Sequence, residues 1–97
     1  MHATTDIDKR FIANLKVARK ALGMRQVDIA DRMRRAGFEL FSQSTVFATE
    51  RGFRPVRLAE ADELSRIVGV PLDRMTTESQ SRIRAIVRDS LMNGATR

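Results

Sequence analysis

The chain has 97 residues, enough for one small domain with one modest core. Its formal charge is +6 and its isoelectric point lies near 11.2, with the cations mostly arginine, so a polyanionic partner is indicated on electrostatic grounds; a basic surface that only confers solubility is the alternative. The absence of cysteine excludes disulfides and thiolate metal sites. No apolar run approaches the length of a membrane span and no signal peptide is visible, so no membrane partner and a cytoplasmic location are expected.

The pattern reads as helices throughout. Helix one is expected from Thr5 or Asp6, both good N-caps, with Phe11, Leu15, Ala18 and Leu22 at helical spacing, widened by Ile12 and ended by Gly23. Helix two should span Arg25 to Ala36 and bury Ile29, Ala30 and Met33. The segment from Arg34 to Phe41 holds a glycine and three large apolar residues, which suits a turn that packs. Helix three is expected from Gln43 to Arg51, capped by Ser42, followed by a loop over Gly52 to Pro55. Helix four should run from Val56 to Val68, with Leu58, Ala61, Leu64, Ile67 and Val68 inward, and be closed by Gly69. Pro71 suits the first turn of a short fifth helix reaching Met75. An amphipathic helix from Glu78 to Asn93, with Gly94 after it, completes an all-α chain. No stretch alternates with period two over a useful length.

Two short helices beginning at Gln26 and Gln43, the second opening with small polar residues that could reach a groove, suggest a helix-turn-helix that reads DNA. Over residues 11–75 the chain resembles the phage Cro-and-repressor (XRE) family of helix-turn-helix proteins. The matching residues are Arg19 and Gly23; Gln26 with Ile29 and Ala30; Gln43 through Val46; Glu50, Arg51 and Gly52; Arg54 and Pro55; and Gly69 through Leu72. The resemblance implies a compact four- to five-helix domain over residues 1–76 that places its third helix in the major groove. Residues 77–97 would form an additional C-terminal helix for dimerisation or packing.

Gln43 and Ser44 stand where side chains of this motif reach base edges, and a glutamine amide can bond adenine bidentately. The alternative is two surface residues beside a helix cap. Ala48 and Phe47 fall one turn later on or beside the same face; for Phe47 a thymine contact and packing against Phe41 are both open. The resemblance implies that Gln26 bonds a phosphate at a helix N-terminus, where backbone N–H groups favour an anion. Ser42, Thr45, Arg51, Arg54 and Arg57 are further candidates for phosphate contact, each of the arginines also readable as a solvated charge. Neutralising four to six phosphates would give a log–log salt slope of roughly −4 to −5. The resemblance also implies an ion pair between Arg19 and Glu50 that orients the recognition helix.

Three departures bear on these expectations. The interval from Gln26 to Gln43 is longer than the usual turn of about 3–4 residues allows. It resembles repressor-like proteins of actinobacteria and their phages, and is expected to lengthen helix two and add a packed loop. Thr49 stands where the family carries a large aliphatic residue, so its hydroxyl needs a partner. No ligand-binding or self-cleaving domain follows the fold, so induction by that route is not expected.

Ile83, Ile86, Val87 and Leu91 form a stripe on the last helix that can serve a dimer interface or pack on its own domain; Arg82, Arg84 and Arg88 lie on the other face and need only be solvated. No catalytic, metal or cofactor site is expected: the lone histidine, His2, is near the terminus, and no nucleophile–base pair or phosphate-cradling loop is visible. The expected function is a dimeric, sequence-specific repressor acting on double-stranded DNA. The alternative is an antitoxin-like module that uses this C-terminal stripe to hold a partner protein and binds DNA secondarily; an activator touching RNA polymerase is a third reading.

Overall fold

The computed structural model describes residues 5–94 and contains six helices: α1 (Asp6–Ala21), α2 (Gln26–Arg35), α3 (Gln43–Glu50), α4 (Leu58–Val68), α5 (Leu72–Thr77) and α6 (Gln80–Gly94). Among the described residues there is no strand, and no helix is long and apolar enough to cross a membrane. His2 lies outside the described residues.

Local hydrogen bonding sets where the helices start. Thr5 caps α1 by accepting from the Asp8 N–H at 3.1 Å, while Asp8 accepts from the Thr5 N–H at 3.1 Å. Ser42 and Thr45 exchange the same pair of bonds at the start of α3. At α2 the Asp28 carboxylate takes the Arg25 N–H at 2.7 Å and pairs with the Arg25 guanidinium. Hydrogen bonding from the Arg25 side chain, then from its backbone, holds the Asp28 carboxyl below its ordinary range. Such reciprocal caps satisfy donors that a helix leaves open at its N-terminus.

The helix α4 begins at Leu58, two residues later than the pattern suggests, because Glu60 accepts the Arg57 N–H and makes Arg57 the cap. Leu58 therefore sits in the first turn and is 78% exposed instead of facing inward. Pro71 is the cap of α5 and not its first residue. The last helix starts after Glu78 and includes Gly94.

The core is continuous. It joins Phe11, Leu15 and Ala18 of α1, Ile29, Ala30 and Met33 of α2, and Val46 of α3 to Ala61, Leu64 and Val68 of α4 and Met75 of α5. Ile83 and Val87 of α6 belong to the same cluster. The first helix is the hub: it packs most extensively against α5 and α6 and touches α3 and α4, while α2 lies on α3 and α4. Asn14, fully buried on α1, donates to the Met75 and Glu78 carbonyls and so holds the α5–α6 junction.

The lengthened turn is ordered by its own contacts. Gly37 takes a φ of +105°, which an L side chain resists, and lets the Phe38 N–H return to the Met33 carbonyl. Phe41 is buried and Phe38 half-buried, and Arg34 donates to the Phe41 carbonyl at 2.8 Å. Leu40, the third large apolar residue of the segment, is 95% exposed. The helix α2 runs to Arg35 with Ala36 as its cap, close to the expected end, and the packed loop follows it.

Candidate nucleic-acid interface

The N-termini of α2 and α3 are joined by a chain of side-chain hydrogen bonds. The Arg19 guanidinium grips the Glu50 carboxylate with Nε at 2.7 Å and Nη2 at 3.0 Å, and its Nη1 donates to the Met24 carbonyl. Gln26 Nε2 donates to Glu50 Oε1 at 3.1 Å, and Gln43 Nε2 donates to Gln26 Oε1 at 3.0 Å. Three helices are thereby linked from the interior outward. The side chains of Arg19 and Glu50 are 10% and 2% exposed, so the pair is shielded from solvent screening.

This chain sets what the outer glutamine presents. With Gln26 donating inward, its carbonyl faces Gln43 and takes one Gln43 N–H. Gln43, exposed, keeps its carbonyl and its second N–H free of partners among the described residues. One donor beside one acceptor is the pair that bonds the N7 and N6 positions of adenine. Ser44 is exposed next to it, and Ala48 is half-buried one turn on.

Of the phosphate candidates, Gln26 sits in this chain, and the other five separate into three groups. Ser42 and Thr45 use their hydroxyls to cap α3. Arg54 is structural: it donates to Thr49 Oγ1 at 3.0 Å and Glu60 Oε2 at 2.9 Å and lies over the Phe41 ring. Two of its five N–H donors are thereby engaged within the fold, and its side chain stays 26% exposed. Arg51 and Arg57 remain exposed, with no acidic partner among the described residues.

Thr49 is fully buried and its hydroxyl donates to the Thr45 carbonyl at 2.7 Å while accepting from Arg54. The departure from an aliphatic residue at this position thus comes with a built partner.

Phe47 does not pack against Phe41. It is 42% exposed and meets Phe53 edge to face at a centroid distance of 6.3 Å. The Arg51 guanidinium stands 5.5 Å from the Phe47 ring centre and 5.2 Å from that of Phe53. Phe53 was not legible as part of this surface. It comes back because Gly52, at φ +72°, ends α3 and the Phe53 N–H returns to the Ala48 carbonyl. A Cβ at Gly52 would also lie 3.3 Å from Ile12 Cδ1, a tight approach between this turn and α1.

The α6 stripe divides. Ile83 and Val87 are core residues at 0% and 2% exposure, and Ile86 is half-buried. Of the four residues named as a dimer interface, only Leu91 is exposed, beside Met92 at the end of the helix. The packing alternative accounts for the others, since withdrawing them would open the core.

No protein-family model matches the chain, and searches of curated proteins and of solved structures found no match.

Proposed function

We propose that the chain is a sequence-specific reader of double-stranded DNA of the phage Cro-and-repressor type, acting as a dimeric repressor with α3 in the major groove. The observation that carries this reading is the Arg19–Glu50–Gln26–Gln43 chain, which presents a free donor and acceptor at the exposed N-terminus of α3. A base-reading side chain works best when held in one orientation, and this one is held through a buried ion pair. Arg51 and Arg57 would supply sequence-independent phosphate contacts.

Selection of bound sequences from a random duplex pool tests the proposal. The expected product is an inverted repeat with half-sites about 10 bp apart or a multiple of that. Gln43→Ala should relax the preference at one base position by roughly 1–3 kcal/mol. Retention that vanishes with salt and yields no motif would overturn base reading.

A second reading draws on one observation. An apolar groove of about 340 Å³ lies between the start of α1 and the start of α4, edged by Ile7 and Leu58, which are 62% and 78% exposed. Exposed apolar surface of this kind suits a protein partner, at a place other than the C-terminal stripe that the antitoxin-like reading used. Failure to recover any DNA motif would move that reading first.

A further inference from the structure

Four cations without ion pairs line a surface that the reading of α3 does not use. Lys16 and Lys20 on α1 face Arg84 and Arg88 on α6 across a trough of about 630 Å³ floored by Ala13 and Val17. These are four of the chain's 18 lysines and arginines, and no acidic residue lines the trough. Seven arginines elsewhere are paired: Arg19 with Glu50, Arg25 with Asp28, Arg34 with Asp31, Arg54 with Glu60, Arg66 with Asp62, and Arg74 and Arg82 with Glu78; Arg10, Arg32, Arg35, Arg51 and Arg57 make no ion pair with the described residues but do not line this trough. Lys16, Lys20, Arg84 and Arg88 make no ion pair or side-chain hydrogen bond with the described residues.

Each helix contributes its two cations at i and i+4, on one face, where like charges weaken the helix by themselves. Packing α6 on α1 then adds a second row beside the first. Folding gains nothing electrostatically from this placement, whereas an anion lying in the trough is flanked on both sides.

We propose that this trough is a second DNA-binding surface, which takes the phosphodiester backbone of duplex DNA independently of sequence and of α3. Two residues one helical turn apart span about 6 Å of axis. A DNA strand carries a charge about every 3.4 Å of axis, so each row meets about two phosphates. The arginine forks suit phosphate oxygens, and the small floor residues let the backbone ridge sit between the rows.

Fluorescence anisotropy with a short duplex of unselected sequence, titrated at several salt concentrations, tests this. The groove variant is Lys16→Gln, Lys20→Gln, Arg84→Gln and Arg88→Gln together. Its log–log salt slope should be shallower than that of the parent by about 2, at ~0.9 for each of the roughly two phosphates that the rows flank. A control that removes the same charge elsewhere, Lys9→Gln, Arg32→Gln, Arg35→Gln and Arg66→Gln, should shift the slope by less than half as much. Exchanging the cations, Lys16→Arg, Lys20→Arg, Arg84→Lys and Arg88→Lys, should preserve it. If the groove variant does not fold by circular dichroism, Lys16→Gln with Lys20→Gln alone should still make the slope shallower by about 1. An unchanged slope in the groove variants, an equal change in the control, or displacement of the duplex by polyglutamate at matched charge would overturn the proposal. Because the probe carries no selected site, and Gln43→Ala should leave its slope unchanged, the outcome is separable from whether α3 reads bases.

Discussion

At the scale of single residues, Glu50 has three donors converging on its carboxylate, one from Gln26 and two from Arg19. Glu50→Gln keeps the shape but leaves the Arg19 charge buried without its counter-ion. The expected loss of stability is about 3–5 kcal/mol, the range for breaking a buried pair, read by chemical denaturation. A loss under about 1 kcal/mol would show that solvent reaches the pair after all. Thr49 presents a smaller case. Thr49→Val removes the acceptor for Arg54, which is partly exposed and keeps Glu60, so the cost should be about 1 kcal/mol. If Thr49→Val instead stabilises the fold, the aliphatic residue is the better fit and the Arg54 contact contributes little.

At the scale of elements, each of α1 to α4 begins where an oxygen three residues into the helix can accept the N–H of the cap residue. Cap and counter-cap were readable for Thr5 and Ser42, whose hydroxyls announce them. They were not readable for Arg57, because nothing in its residue type suggests a cap; Glu60 selects it only once the chain has turned. The Asp28 cap carries a pH signature. Its carboxyl titrates below the ordinary range when folded, so its stabilising effect is complete above that range and is lost as pH falls through the folded value. Asp28→Asn should therefore lower the melting temperature at neutral pH, with the gap to the parent closing in strong acid. A gap that stays constant from neutral to strongly acidic pH would show that the charge of Asp28 is not what holds the start of α2.

At the scale of the whole molecule, α6 is a structural part of the domain. Ile83 and Val87 sit in the core beside Met75, and Asn14 reaches the carbonyls on either side of the α5–α6 junction. Ile83→Ala should cost about 2–5 kcal/mol by loss of buried surface and the cavity left behind. The same substitution should leave the sedimentation-derived oligomeric state unchanged when the protein is folded. A dissociated dimer with unaltered stability would instead place Ile83 at an interface. The radius of gyration, 12.9 Å, is close to the ~13 Å expected of a compact domain of about 100 residues, so the six helices form one body without a detached tail.

The periodicity of the chain by itself determined that it is all helical, where most helices lie, and that Ile29, Ala30, Met33 and Leu64 face inward, because burial of one helix face repeats at a spacing visible in the residues. The resemblance carried by Arg19, Gln26, Gln43 and Glu50 anticipated the ion pair. Only the tertiary structure decided three further matters. It committed Arg54 to Glu60 and Thr49, it turned Phe47 and Phe53 toward each other under Arg51, and it brought Lys16 and Lys20 opposite Arg84 and Arg88. An arginine in the sequence is only a charge. Whether it is free, buried or clustered depends on which residues far along the chain come within a few ångströms of it, and that is fixed by packing between helices, not by spacing within one.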